Sequence, residues 1–339
     1  MKIIKTEDAV GEMLCHDVTQ IIPGKSKGEP LKRGHIITEE DIPLLLSIGK
    51  ENLFVWDPDM ALVHENDAAA FLYELVSDEN MEASEVSAGR INSFAKVDGI
   101  LRINKEKLYE LNSVQDVCVS ARHDYSIVRK GDMLFGTRVT PLMVEQSIMD
   151  EASKVASGEQ IARIVPFQPK KVGIVTTGSE VFKGLIEDGF GPVLRSKLND
   201  YCVEEMGQII VPDDHTQTTA SIKAFIDQGA DIILATGGMS VDPDDKTPLA
   251  IKNTGAEIIT YGTPIFPGAM LMLAYLGDVT ILGIPGGALH SKRTAFDILL
   301  PRALAGIKTT KEDIIRLGNG GLCLNCKACI YPNCGFGVE

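Results

Sequence analysis

KVGIVTTG, residues 171–178, opens the stretch whose reading decides the fold. It has the continuous apolar character of a strand buried on both faces, and GPVLRSKLNDYCVEEMG (191–207) after it reads as a helix. QIIVPDD (208–214) is a second strand, TASIKAFIDQG (219–229) a helix, and DIILATGG (231–238) another buried-type strand. KTPLAIKNTG (246–255) gives a short helix and EIITYG (257–262) a strand. TILGIPGG (280–287) then feeds a last helix, ALHSKRTAFDILLPRALAG (288–306). This alternation predicts a three-layer α/β domain, a mainly parallel sheet with helices on both faces. Ligands are expected at the carboxyl ends of its strands.

Outward from this domain, placed at 168–308, lie a mixed α+β region at 1–167 and a Cys-rich tail at 309–339. The first region has a candidate division between 1–60 and 61–167. In LKRGHIITEEDIPLLLSIG (31–49), Thr38 is placed to cap a helix that stops at Gly49, and the strand FVW (54–56) follows. VHENDAAAFLYELVS (63–77) has helical apolar spacing, and FAKVDGILRI (94–103) alternates as one strand. GDMLFGTRVTPLMV (131–144) reads as a strand pair, and VEQSIMDEASKVAS (144–157) as a helix leading to a boundary near 168. There is no convincing internal repeat.

With 44% hydrophobic and 24% charged residues over 339 positions, the chain has the balance of a multidomain globular protein rather than a disordered one. A net charge of −14, with no dense basic run, argues against nucleic acid as a partner. A phosphorylated ligand must then be met by backbone N–H groups, helix N-termini or a bridging cation. The N-terminus lacks an apolar run with a cleavage site, and the most apolar stretch, 269–284, is broken by Gly277 and Asp278. A soluble, cytoplasmic protein with no membrane partner is expected.

Three turns fall at predicted strand ends: TTGSE (176–180), TGGMSVDPDD (236–245) and IPGG (284–287). Gly178, Gly237, Gly238, Gly286 and Gly287 permit close backbone approach, and Thr176, Thr177, Ser179 and Ser240 add hydroxyls. Asp242, Asp244 and Asp245 would repel a phosphate in such a loop unless a hard cation bridged them, which implies Mg²⁺. Each turn taken singly also fits tight packing or a helix cap; three at equivalent strand ends, one acidic, favour a ligand site. Glu180, Thr236 and Pro285 belong to the same turns, while Lys246 fits a solvated helix start. His290, Ser291, Lys292 and Arg293 read equally as an exposed first helical turn or as contacts to phosphate or a heterocycle edge.

As a set, these motifs resemble the molybdenum-cofactor biosynthesis domain of molybdopterin adenylyltransferases and molybdotransferases over roughly 171–306. VTTGSEV (175–181) resembles the family's first-strand turn, and TGGMSVDPDD resembles an SGGVSVGDYD-like loop, matching Asp245 to its last acidic residue. GLIEDGF (184–190) resembles G-x-I-x-D-x-N, which carries over Asp188, and ILGIPGG (281–287) resembles the GLPGN turn. The resemblance implies binding of molybdopterin, its adenylylated form or Mo-molybdopterin, with Asp188 and Asp245 as catalytic candidates. A molybdenum or tungsten apo-enzyme is an implied recipient, and a homo-oligomer is compatible. If there is chemistry, it is molybdate insertion or adenylyl or phosphoryl transfer.

The departures are specific. PGKP reads PGAM (267–270) and so lacks its lysine, Gly287 replaces the Asn of LPGNP, and Phe190 stands where the acidic motif has Asn. Pterin binding therefore follows from the resemblance more directly than molybdenum insertion does. In the first region, GEPLKRGHIITEEDIPLLLSIGKENLFVW (28–56) alone looks like molybdotransferase sequence. Rival readings are a Mg²⁺-dependent nucleotide pyrophosphatase on the same fold and a redox-responsive interaction protein acting through its tail.

That tail, GLCLNCKACIYPNCGFG (321–337), sets Cys323, Cys326, Cys329 and Cys334 as Cys-x2-Cys-x2-Cys-x4-Cys. Such spacing predicts a metal site, with a 4Fe-4S cluster or tetrahedral zinc both compatible. Cys15, Cys118 and Cys202 are dispersed and read as small buried residues.

Overall fold

The computed structural model describes residues 2–22, 26–56, 61–240 and 245–338, and the side chains of 21, 22, 26, 27 and 29 are excepted. The chain divides into two compact units that do not follow a single cut along the sequence. One comprises Met1–Phe94, Asn104–Ala121 and Met133–Ala162; the other comprises Ala95–Ile103, Arg122–Asp132 and Arg163–Glu339.

The second unit holds the six-stranded sheet expected from 171 onward. Its strands are β1 (Lys170–Thr177), β2 (Val203–Val211), β3 (Ile232–Thr236), β4 (Glu257–Tyr261), β5 (Met272–Leu276) and β6 (Val279–Ile284), in the order β2-β1-β3-β6-β5-β4. Pairings β1–β2, β1–β3 and β3–β6 are parallel, whereas β5 runs antiparallel to both β4 and β6. The β5–β6 hairpin turns at Gly277 and Asp278, the interruption in the most apolar stretch, and β5 itself is a strand that the sequence pattern does not resolve. Gly173 in β1 lies under Phe225: a Cβ there would sit 2.6 Å from the ring.

Helices α1 (Phe190–Leu198), α2 (His215–Asp227), α3 (Thr247–Asn253) and α4 (Ala295–Leu304) accompany the sheet. Asp214 caps α2 by accepting from the Thr216 and Gln217 N–H groups at 2.8 and 2.9 Å, and Thr294 with Asp297 forms a capping box on α4. Two apolar clusters flank the sheet, one with Ile174, Leu234, Leu282 and Phe296, the other with Val175, Ile222, Ile233 and Ile281. Alternate residues of one strand thus enter different clusters, as a sheet covered on both faces requires. Each large side chain so buried, such as Phe296, contributes about 1.5–3 kcal/mol.

Several expectations are corrected. The helix read over 191–207 ends at Leu198, because VEEMGQIIV (203–211) supplies the edge strand β2. The last helix starts at Ala295, and Gly286–Leu289 form a single 3-10 turn before it. FAKVDGILRI makes two strands rather than one: Arg90–Ala95 pairs in a four-stranded sheet, and Gly99–Ile103 in a three-stranded one. Met133–Val139 and Met143–Glu145 pair with other strands and not with each other. The helix near Thr38 spans Asp41–Ser47, and the Thr38 hydroxyl donates to Asp41 instead of capping its N–H groups.

In the first unit, Leu14, Val18, Ile37, Leu45, Leu53 and Val55 form a small core of their own. Helices Glu65–Val76, Lys105–Ser113 and Gln146–Ala156 lie in the rest of this unit with the four-stranded sheet. Among the described residues, no helix is long and apolar enough to cross a membrane.

Candidate functional site

Register puts the three turns at one edge. Thr176 of β1 pairs with Thr236 of β3, which in turn pairs with Ile284 of β6, so the chain leaves three adjacent parallel strands at the same level. This is the carboxyl edge, where open α/β sheets receive ligands.

At the first turn Thr176 and Thr177 are buried, Gly178 and Ser179 half-buried, and Glu180 exposed. The Ser179 N–H donates to Asp213 at 2.8 Å, which fixes the start of a one-turn helix, Ser179–Phe182. At the second turn Gly237 has φ 84° and Gly238 φ 51°. A Cβ on Gly237 would lie 2.0 Å from the Thr177 carbonyl oxygen, so glycine is required where the first two turns touch. The Thr177 and Thr247 hydroxyls lie 3.1 Å apart, and the Thr247 hydroxyl reaches the Gly237 carbonyl at 2.8 Å. Tyr261, at the end of β4, donates to the Ser240 carbonyl at 2.9 Å. Burial, together with the charge of Asp245, pushes its phenol up. Thr236 is buried and Ser240 exposed; Asp242 and Asp244 lie outside the described residues.

The third turn behaves differently from expectation. Pro285 is buried, but Gly286 and Gly287 are exposed, lack positive φ, and have open space where a Cβ would go. Glycine here is not demanded by the protein's own backbone; it leaves room beside the edge. Ser291 and Arg293 are half-buried and Lys292 exposed.

Asp188 is not a free carboxylate. It accepts from the Phe190 and Gly191 N–H groups at 2.9 Å each, and from Gln208 Nε2 at 2.7 Å. It therefore caps α1, and Gln208 links it to the Thr176 hydroxyl at 2.7 Å. Arg195 extends the network, donating to Gln208 at 3.2 Å and to Glu205 at 2.8 Å. Gln208 and Arg195 carry no signal in the sequence because their partners are up to 32 residues away along the chain.

Beside the third turn, Pro192, Ser196, Lys197, Leu289, Ser291 and Arg293 border a cleft of about 560 Å³. Its cations are organised by Asp297, 5% exposed, which takes Lys197 Nζ at 2.6 Å and Arg293 at 3.0 Å. Asp297 is the central residue that sequence reading misses. The signal available is its place at the third helical position after Thr294.

Among the described residues, no group of three or more His, Cys, Asp or Glu side chains is disposed to hold a metal ion. Neither the acidic turn nor the tail thus presents a formed metal centre among them. Cys323 and Cys334 are half-buried against the apolar cluster around Phe296, while Cys326 and Cys329 are exposed. The Tyr331 backbone N–H, aided by Arg293, holds the Cys329 thiol below the usual thiol range. Of the dispersed cysteines Cys15 is buried as expected, whereas Cys118 and Cys202 are exposed.

The second unit thus holds an open α/β sheet with glycine-containing turns gathered at its carboxyl edge, where such sheets receive ligands. Residues 173–305 match the family described as "Probable molybdopterin binding domain", and this stretch is a domain of the molybdenum-cofactor biosynthesis family. Residues 3–57 match a separate family described as a domain of unknown function. The molybdopterin molybdenumtransferase of Synechococcus elongatus is 27% identical over 190 residues, 52% of this chain and 45% of that protein. A molybdenum cofactor biosynthesis bifunctional protein of the same organism is 35% identical over 83 residues, 24% of this chain and 26% of its own length. A CinA-like protein of Mycobacterium avium is 35% identical over 90 residues, 26% of this chain and 21% of its own. The chain thus spans less than half the length of these relatives. Among solved structures, the molybdopterin biosynthesis enzyme MoaB of Thermus thermophilus is 21% identical. It covers 42% of this chain and 98% of its own, with a TM-score of 0.33.

Proposed function

We propose that the chain binds molybdopterin, or an adenylylated or molybdenum-loaded form of it, and acts in making or delivering the molybdenum cofactor. The observation that carries this reading is the register of Thr176, Thr236 and Ile284, which gathers the three family-like turns at one sheet edge. Thr176, Thr177, Gly178, Ser179 and Glu180 form one wall, Thr236, Gly237, Gly238 and Ser240 the second, and Pro285, Gly286, Gly287 and Ser291 the third. Asp242 belongs to the second wall by sequence.

Backbone N–H groups and hydroxyls bind the pterin and its phosphate, which suits a chain with net charge −14. Lys197 and Arg293 supply local positive charge without being free to swing, since Asp297 holds both. Magnesium would come with the substrate phosphates and meet Asp245; Asp188, already engaged by N–H groups, positions α1 and Thr176 rather than reacting. The missing lysine of the PGAM segment favours a binding or carrying role over molybdate insertion. The recipient is a molybdenum or tungsten apo-enzyme.

Incubating the protein with adenylylated molybdopterin, molybdate and Mg²⁺ separates these roles. Carriage predicts retained pterin with no AMP released above the protein-free control. Molybdenum incorporation matched by AMP release would instead make the protein a transferase.

A further inference from the structure

The strongest unabsorbed feature is the tail, and its two ends are built into the second unit. The Phe266 N–H donates to the Gly321 carbonyl and the Cys323 N–H to the Phe266 carbonyl, each at 2.8 Å; Gly337 N–H reaches the Gly320 carbonyl at 3.0 Å. Tyr331 donates its hydroxyl to the Asp297 carbonyl at 2.7 Å, and Phe336 is 5% exposed. Cys323 and Cys334 therefore rest on the same apolar cluster, at the two feet of one loop.

Residues 324–330, between those feet, are all exposed. Leu324 is 78% exposed and Ile330 60%, and Cys326 and Cys329 both face solvent. Cysteine is among the most buried residue types, so two thiols held at the surface between two half-buried ones are placed where a ligand can reach them. None of the four tail cysteines is paired in a disulfide. Successive cysteines are separated by two, two and four residues. At roughly 3.3–3.6 Å per residue, the chain has ample reach to bring four sulfurs onto one metal centre.

We infer that Cys323, Cys326, Cys329 and Cys334 are the ligands of a thiophilic metal centre, with Cys323 and Cys334 at the feet of the loop and Cys326 and Cys329 between them. Metal binding then supplies the folding energy of the loop, as in small metal-organised domains. The shared chemistry is four thiolates on a soft metal, taken as a tetrahedral zinc-type ion or as an iron–sulfur cluster. Lys292 Nζ already donates to the Lys327 carbonyl at 3.1 Å, so the loop is tied to the segment that leaves the third turn. This inference does not depend on what the sheet edge binds.

The test uses the full chain, reduced and metal-free under anaerobic conditions. In one arm Co²⁺ is titrated and the thiolate-to-cobalt charge-transfer and d–d absorptions are followed, with Zn²⁺ as displacing ion; in the other, Fe³⁺ and Fe²⁺ in equal amounts are supplied with sulfide. Expected is one centre per chain in one of the two arms. Cys326→Ser and Cys329→Ser should each weaken it more than ~10-fold, the loss that even outer-shell partners of a metal commonly cause. Cys118→Ser and Cys202→Ser, exposed thiols outside the tail, should leave it unchanged. Far-UV circular dichroism checks that the variants fold, as solvent-facing positions should. No thiolate–metal chromophore in either arm, or equal binding by the Cys326 and Cys118 variants, overturns the inference.

Discussion

Gly237 is the residue at which the site and the fold meet. Its φ of 84° and the 2.0 Å approach of a would-be Cβ to the Thr177 oxygen predict that Gly237→Ala costs about 2 kcal/mol or more. Gly286→Ala, with open space around it, should be thermally silent and lose ligand affinity alone. Thermal melts of the two variants compare them, and equal melting losses would contradict this account. A second residue-scale prediction concerns His64, whose Nδ1 accepts the Asn66 N–H at 3.1 Å and so caps the helix Glu65–Val76. Burial, with Arg33 adding to it and Asp67 and Asp17 opposing, holds its imidazole below the ordinary value. Below about pH 6.5 the unfolded chain takes up a proton that the folded chain resists, so stability is full above that pH and falls as acid approaches the depressed folded value. His16, lowered chiefly by burial, acts in the same direction. His64→Asn keeps a capping acceptor and removes one titrating group, so the acid limb of a urea-stability profile should become shallower; an unchanged limb would contradict the assignment. The glycines and hydroxyls of the three turns are legible in the sequence because strand ends are. The carboxylate roles are not: Asp188 caps α1, a hydrogen-bonding fact that no spacing discloses.

At the scale of elements, α4 carries more than its length suggests. Asp297 closes its capping box and holds both Lys197 and Arg293 while 5% exposed, so Asp297→Ala strips the partner from two partly buried cations. The expected loss is about 3 kcal/mol, against less than about 1 kcal/mol for Glu312→Ala, which breaks the exposed pair with Arg316. Denaturant titration of both variants measures the contrast, and similar losses would show that Asp297 is not the organiser described. Elements with strong periodicity, β1, β3, β6, α2 and α3, can be read directly from the chain. Only the first half of the edge strand β2, residues 203–207, reads as helix, because it is partly exposed and carries two glutamates, leaving the apolar spacing ambiguous; QIIV (208–211) reads as strand. β5 escapes for the opposite reason: its apolar run merges with that of β6 across a two-residue turn.

For the whole molecule, the acidic net charge and the locally cationic cleft belong together: bulk charge does not gather phosphates, so a few positioned groups must. The regular alternation after residue 170 makes the second unit legible, whereas segments 95–103 and 122–132 join it without any compositional mark. The central claim is that the sheet edge binds a pterin phosphate, and it is tested most directly by calorimetry of molybdopterin, with ATP as control, against wild type, Asp245→Ala and Gly286→Ala, with and without Mg²⁺. The account predicts pterin binding by wild type that is weakened about tenfold in each variant and lowered when Mg²⁺ is withheld, with ATP binding more weakly. Absence of pterin binding under every condition, or binding indifferent to both substitutions, would contradict it.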